Sequence, residues 1–333
     1  MLNPLLESSR QDLVMPPLPD IHDALVLTLT LNPALDRVVH LPSLQVGGKN
    51  IAADVQVYLA GKGVNVARAL SIQGIPAGTL GFIGHGELEL FQSGLARQGV
   101  AACFLPVTGT TRTNTKLIPA DTGKDTEINE PGFHVARANL EQLFSRLDEL
   151  LPGKKFLSLS GSIPPGVDAG IYRKCILMAR RKGVSTLLDT SAPALLPASE
   201  ALPAILKLNQ EEFEGLTGRK FESLPEMADA MQAYCRGGME KVIVTMGSRG
   251  AVIVDGSQRF SAIPPSVPVV NPIGAGDAAT AGLLAGILSG RSLAEQLAWA
   301  VAAASASVTG GQPAGFELET ARKLKTRLIL KPI

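Results

Sequence analysis

Two rhythms of apolar and polar residues divide this chain. From position 136 onward, apolar residues recur at helical spacing: Leu140, Leu143, Phe144, Leu147, Leu150 and Leu151 fall on one face. Short apolar runs then alternate with further helical stretches. The pattern predicts strands over 156–160, 185–188, 241–246 and 251–254, the last after a turn at Gly247 and Gly250. A helix is expected over 169–182, and Ala-rich helices over 278–288 and 293–308 close the core. Strands alternating with helices predict a doubly wound α/β fold, a mostly parallel sheet covered by helices on both faces.

Before position 136 the rhythm is different. A strand over 25–31, a helix over 63–73 and a strand over 79–83 belong to the same architecture. The stretches 38–59 and 113–128 instead carry short runs with polar alternation, the second with a turn at Asp121, Thr122, Gly123 and Lys124. They predict a small β-sheet projecting from the main body. Residues 1–24 contain prolines, mix their charges and lack the basic start and apolar centre of a signal peptide, so a flexible leader is expected there. The rest, 25–333, then forms one unit, with the projecting segments at about 36–59 and 110–129.

Composition removes several classes of function. A net charge of +1 offers no electrostatic footprint for nucleic acid or an acidic membrane. No window approaches the roughly 18 uninterrupted apolar residues of a membrane span. Cys103, Cys175 and Cys235 are scattered, without paired spacing or a histidine cluster, which fits a reduced cytoplasmic protein without disulfides or zinc.

Against that plain background one segment stands out. Asn271-Pro272-Ile273-Gly274-Ala275-Gly276-Asp277 is a glycine-rich turn ending in an acid, followed by an apolar run of helical length. Such a turn aims backbone N–H groups at an anion. An acid in that nest makes sense as a base that takes a proton from a hydroxyl receiving a transferred phosphate. The plainer alternative is that Asp277 caps the helix.

Four other clusters carry candidate chemistry. Gly61-Lys62-Gly63-Val64-Asn65-Val66-Ala67-Arg68 opens a helix with a lysine and an asparagine suited to a polyhydroxylated anion. It is not a dinucleotide fingerprint, because Val66 stands where the third glycine belongs. Asp36 follows the first strand, as a hydroxyl acceptor or as a turn former. Arg112, in Thr111-Arg112-Thr113-Asn114, reads as a solvated side chain or a phosphate clamp. Lys207-Leu208-Asn209-Gln210-Glu211-Glu212 ends a strand, and its Asn-x-x-Glu could hold Mg²⁺ through water.

Taken in order, Gly61 to Arg68, Ser160-Gly161-Ser162-Ile163-Pro164-Pro165-Gly166, Lys207-x-Asn209-x-x-Glu212 and Gly274-Ala275-Gly276-Asp277 resemble the ribokinase-like (PfkB) sugar kinases, within their phosphofructokinase branch. The likeness runs from about residue 25 to the end. It implies a ribokinase-like sheet with a β-sheet lid, and a homodimer formed through that lid. By similarity, Asp277 is the catalytic base, and the N–H groups of Gly274, Ala275 and Gly276 form the anion hole. Lys207, Asn209, Thr245, Gly247 and Gly250 would bind ATP, with Asn209 and Glu212 organising Mg²⁺ and its waters. Asp36, Gly61, Gly63, Asn65 and Ser162 would hold the sugar, and Lys49 and Arg112 its phosphate. Two departures are visible. Leu208 stands where relatives often carry proline, and Pro272 precedes the anion hole, which bears on a K⁺ site through nearby carbonyls.

The segment 126–132, Thr-Glu-Ile-Asn-Glu-Pro-Gly, most resembles fructose-1-phosphate kinases, giving fructose 1,6-bisphosphate. Tagatose-6-phosphate and fructose-6-phosphate kinases remain alternatives from the same branch. A non-catalytic sugar- or nucleotide-binding relative is the alternative of a different class, and a nicotinamide-dependent dehydrogenase is weakened by the missing fingerprint glycines.

Overall fold

The computed structural model describes residues 20–122 and 125–333. Among the described residues, fourteen strands and ten α-helices follow one another. β1 (Val26–Thr30), β2 (Ala34–Leu41) and β3 (Asp54–Ala60) lead into α1 (Lys62–Ile72). Then come β4 (Ala77–Gly84), α2 (Leu88–Ala96), β5 (Ala101–Val107), β6 (Arg112–Pro119) and β7 (Thr126–Ile128). The next stretch holds α3 (Arg137–Leu150), β8 (Phe156–Ser160), α4 (Ile171–Arg181), β9 (Ser185–Asp189), α5 (Leu195–Ser199) and β10 (Ile205–Asn209). α6 (Gln210–Thr217), α7 (Leu224–Arg236), β11 (Lys241–Thr245), β12 (Ala251–Asp255) and β13 (Arg259–Ile263) follow. The chain closes with α8 (Ala275–Leu288), α9 (Leu293–Ser307), α10 (Leu318–Lys325) and β14 (Ile329–Pro332).

Ten strands form one sheet in the order β14-β13-β12-β11-β10-β9-β8-β1-β4-β5. It is parallel from β11 to β5 and antiparallel from β11 out to β14. Side chains alternate between two cores. Val242 and Val244 face the layer that holds α3, α4 and α7, whereas Ile243 faces α1, α8 and α9. This alternation is why the central strands read as continuous apolar runs. From β1 the chain proceeds to β4 and β5 on one side, and from β8 to β9, β10 and β11 on the other. The strand order therefore reverses between β1 and β8, and a doubly wound sheet opens a crevice beyond the carboxyl ends at that point.

The remaining strands make a separate sheet, β3-β2-β6-β7. β2 pairs antiparallel with β3 but parallel with β6, from Ala34 opposite Arg112 to Leu41 opposite Pro119. One face carries Asp36, Asn114, Lys116 and Tyr58, and the other carries Val55, Val57 and Ile128.

The leader expected at 1–24 lies outside the described residues as far as residue 19. Residues 20–24 belong to the body, which corrects that boundary. Ile21 is buried against Gly78, and Lys154 Nζ donates to the carbonyls of Ile21 and His22 at 2.8 and 2.7 Å. Residues 123 and 124 of the expected turn also lie outside the described residues. No helix among the described residues is long and apolar enough to cross a membrane.

Candidate active site

The carboxyl ends of β1, β8, β9 and β10 and the first turns of α1 and α8 converge on the crevice. The turn before α8 needs glycine at 274: φ is +77°, and a Cβ there would lie 2.6 Å from the Ala314 backbone nitrogen. Gly274 takes the capping position, and Asp277 sits inside the first turn of α8. Its carboxylate is therefore not the helix cap. It is buried and accepts from Asn65 Nδ2 at 2.8 Å. Burial pushes its pKa up to about 6, against the pull of the Lys62 ammonium and with a contribution from the Asp189 charge.

Asn65 is itself held. Arg68 Nη1 donates to Asn65 Oδ1 at 3.1 Å and to the Pro313 carbonyl at 3.0 Å, and Arg68 Nη2 donates to the Leu59 carbonyl. Burial pulls this guanidinium down to about 10, the nearby Asp277 and Asp36 opposing. The amide of Asn65 therefore has its oxygen committed to Arg68 and its nitrogen to Asp277.

Beside Asp277 lies a second buried acid that the sequence reading did not single out. Asp189, the last residue of β9, accepts from Lys62 Nζ at 2.8 Å and Lys207 Nζ at 2.5 Å. Thr280 Oγ lies 3.1 Å from both Asp189 Oδ2 and the Gly276 carbonyl. Despite complete burial, the two ammonium groups hold the Asp189 carboxyl well below the usual range. The same carboxylate holds Lys62 above the usual lysine range. A Cβ at Gly276 would lie 3.4 Å from Lys207 Nζ, so this ammonium sits under the glycine turn that opens α8.

Asn209 and Glu212 form a reciprocal cap at the start of α6: Asn209 Oδ1 accepts from the Glu212 N–H, and Glu212 Oε2 from the Asn209 N–H. Glu212 Oε1 is left facing Lys62 Nζ at 3.9 Å. The pair thus has a structural role of its own, with one carboxylate oxygen free of the cap.

A cavity of about 560 Å³ extends from Thr245, Gly247 and Gly250 to Ala275 and Gly276, with Val267 and Val301 among its walls. Gly250 has a packing reason as well: with φ at +92°, a Cβ would fall 1.9 Å from the Ala262 carbonyl oxygen. A smaller cavity of about 100 Å³ lies between the small sheet and Ile273, lined by Asp36, Asn114, Lys116, Glu127 and Asn129.

On this second wall, Asp36 is inside β2 rather than in a turn. Asn114 Nδ2 donates to it at 2.9 Å, and burial pushes its carboxyl up. Arg112 begins β6 and is not a solvated surface residue. Its Nη2 donates to the Asn32 carbonyl at 3.0 Å and its Nη1 approaches the Glu130 carbonyl at 3.5 Å. Arg112 Nε, Asn32 Oδ1 and Asn114 Oδ1 are buried without a hydrogen-bond partner. Gly61 and Gly63 pack α1 against the end of β1, where added Cβ atoms would meet Thr30 side-chain atoms at 2.8 and 2.3 Å. Ser162 is exposed just beyond β8, after Gly161, whose own Cβ would touch Lys62. Lys49 is exposed in the loop joining β2 to β3, which leaves the small sheet at its Leu41 end.

The model of the family described as pfkB family carbohydrate kinase matches residues 29–320. A 1-phosphofructokinase from Rhodobacter capsulatus is 35% identical over 271 residues, covering 81% of this chain and 86% of its own. The crystal structure of phosphofructokinase-2 from Escherichia coli in complex with substrates and products superposes with a TM-score of 0.86 at 28% identity, covering 91% of this chain and 98% of the other. The same enzyme in complex with potassium gives a TM-score of 0.85 at 27% identity, covering 91% and 99%.

Proposed function

The chain belongs to the pfkB family of carbohydrate kinases and is a hexose-phosphate kinase, and from that premise we propose that it phosphorylates fructose 1-phosphate at C6 with ATP, giving fructose 1,6-bisphosphate. The observation that carries the chemistry is the position of Asp277. It is a buried carboxylate poised near pH 6, one helical turn inside a glycine turn whose N–H groups can receive an anion. The choice of fructose 1-phosphate rests on the relatives bearing that activity's name at about one-third identity.

In this reading ATP lies in the larger cavity, its base among Val267, Val301 and their apolar neighbours and its phosphates toward Ala275 and Gly276. Lys207, under the turn, draws the terminal phosphate into line. The acceptor sugar lies against the lid, where Asp36, Asn114 and Asn32 offer oxygens to its hydroxyls. Arg112 Nε, already buried and without a partner, meets its phosphate. Asp277 takes the proton of the attacking hydroxyl, and Asn65 keeps the carboxylate turned toward it. Lys62 and Lys207, clamped on Asp189, keep positive charge next to the transferred group without collapsing onto Asp277.

Magnesium fits as an ion that arrives with the nucleotide. Among the described residues no group of three or more His, Cys, Asp or Glu could cage a metal. Such nucleotide-borne Mg²⁺ keeps most of its waters. The uncapped oxygen of Glu212 would accept from those waters, and the ion would supply charge neutralisation to the phosphates. Potassium is proposed on the relative's complex alone; stimulation by K⁺ over Na⁺ tests it. A homodimer through the lid is supported by the exposed Val55, Val57 and Ile128 on the lid's outer face. A cytoplasmic setting is supported by the three free cysteines, Cys103, Cys175 and Cys235.

The deciding experiment is a coupled ADP-release assay with Mg-ATP against fructose 1-phosphate, fructose 6-phosphate, tagatose 6-phosphate and the free sugars. Preference for fructose 1-phosphate supports the reading. Preference for another phosphosugar replaces the substrate, and activity on free sugars alone removes the phosphate role of Arg112.

A further inference from the structure

The loop between α9 and α10 is tied to three parts of the cleft at once. The Gly311 carbonyl accepts from Asn271 Nδ2 at 2.9 Å, at the start of the anion-hole turn. Two further bonds fix the same loop. The Ala314 N–H donates to the Ile273 carbonyl at 3.2 Å, and the Pro313 carbonyl accepts from Arg68, the residue that orients Asn65. Gly274 packs against Ala314 of this loop, where an added Cβ would fall 2.6 Å from the Ala314 nitrogen. The third tie comes from the lid: Tyr58, in β3, has its phenol oxygen 3.1 Å from that same Gly311 carbonyl. It is a long-range contact, 253 residues apart in sequence.

We propose that Tyr58 is a positioning residue that couples the lid to the anion hole, so that sugar seated under the lid tightens the site for the nucleotide phosphates. Tyr58 shares the inner lid face with Asp36 and Asn114, pairing with Asp36 across the strands. A ligand that fixes those side chains fixes β3, and the phenol then holds the Gly311 carbonyl in the arrangement that Asn271 also requires. The phenol has one proton and two acceptors, Gly311 on the loop and Gln56 Oε1 on the lid's own strand. Donation to Gln56 leaves lid and loop independent, whereas donation to Gly311 joins them. The inference rests on the kinase reading above. Its signature is a mutual dependence of the two ligands, since coupling between sites is reciprocal.

The test measures binding of a non-hydrolysable ATP analogue with Mg²⁺ by calorimetry, with and without saturating fructose 1-phosphate. Wild type, Tyr58→Phe and Gln56→Met are compared. In the wild type the sugar phosphate tightens analogue binding. Tyr58→Phe reduces that enhancement by about two- to tenfold, the worth of one hydrogen bond, while analogue affinity without sugar stays within twofold. Gln56→Met, which removes the competing acceptor, keeps or enlarges the enhancement. An unchanged enhancement in Tyr58→Phe, or a loss in Gln56→Met equal to that in Tyr58→Phe, overturns the proposal. So does a wild type that turns over fructose 1-phosphate without any enhancement. A wild type inactive on every phosphosugar defeats the kinase reading instead, and ADP release on the same samples tells the two failures apart.

Discussion

Asp189 and Asn114 face the same crevice from opposite walls, and their surroundings differ in kind. Asp189 has Lys62, Lys207 and Thr280 around it, and the neighbouring Asp277 has Asn65. Across the crevice, Asn114 Oδ1, Asn32 Oδ1 and Arg112 Nε are buried with nothing to bond. Leaving a buried polar atom unpaired costs about 1–3 kcal/mol. On the wall proposed to handle the phosphates, the side-chain partners are thus in place before any ligand arrives. The lid wall carries a deficit that a polyhydroxylated, anionic ligand would remove. Catalytic charge needs fixed geometry, because reorganisation at the moment of transfer would cost rate. Recognition can leave its hydrogen bonds open until the right partner supplies them.

The contrast can be broken most sharply at Asp277. Asp277→Asn should lower kcat by about 10²–10⁴, the usual worth of a positioned base, while affinity for a non-hydrolysable ATP analogue stays within threefold. Near-normal turnover would remove the base from its role. The same variant carries a stability test of opposite sign. A carboxyl raised from 3.8 to about 6 favours the folded state below pH 4, and that contribution is lost as pH rises through 6. At pH 7.5 the ionised wild-type residue is therefore a burden of about 3 kcal/mol. Asp277→Asn should melt higher at that pH, with the gap closing below pH 4; equal melting at both pH values would refute the burial argument.

Asp189→Asn tests whether the phosphate wall depends on its shared anion. Removing one partner from a buried ion cluster costs about 3–5 kcal/mol, read as a lowered denaturation midpoint in urea at neutral pH. A cost below about 1 kcal/mol would mean that Lys62 and Lys207 find water instead. On the other wall, Arg112→Ala should raise KM for the phosphosugar roughly 10- to 100-fold, the range for a hydrogen bond to a charged group, and leave KM for ATP nearly unchanged. Equal effects on both would make Arg112 a strut between Asn32 and Glu130. The smallest effect is a profile: log kcat/KM should bend downward on the acid side near pH 6, and the bend should vanish in Asp277→Asn.

The body was largely legible because its strands and helices carry their own periods, as the strand expected and found at Phe156–Ser160 illustrates. β5 escaped because it is apolar throughout and interrupted by Pro106, so it shows no alternation, and β14 because it is a short, exposed edge strand. The small sheet was visible as a change of rhythm. Its parallel pairing of β2 with β6 was not, since nothing local encodes a register across nearly eighty residues. Asp277 announced itself through its glycine turn. Asp189 could not: an acid ending a strand looks like any turn former, and its importance comes from donors 127 and 18 residues away meeting it in space. The only local signal was its place at the carboxyl end of a parallel strand beside Thr190.

The separation of the two sheets bears on how such a chain diversifies. The residues proposed to read the sugar lie mainly on β2 and β6, and the residues proposed to move the phosphoryl group on α1, α8, β9 and β10. Substitutions on the lid can reshape the acceptor without disturbing the buried acids and ammoniums beneath it. Drift in sugar preference is then mutationally cheap, while the ion cluster around Asp189 is shielded by the stability cost of altering it. Selection on such a fold would remodel the lid first.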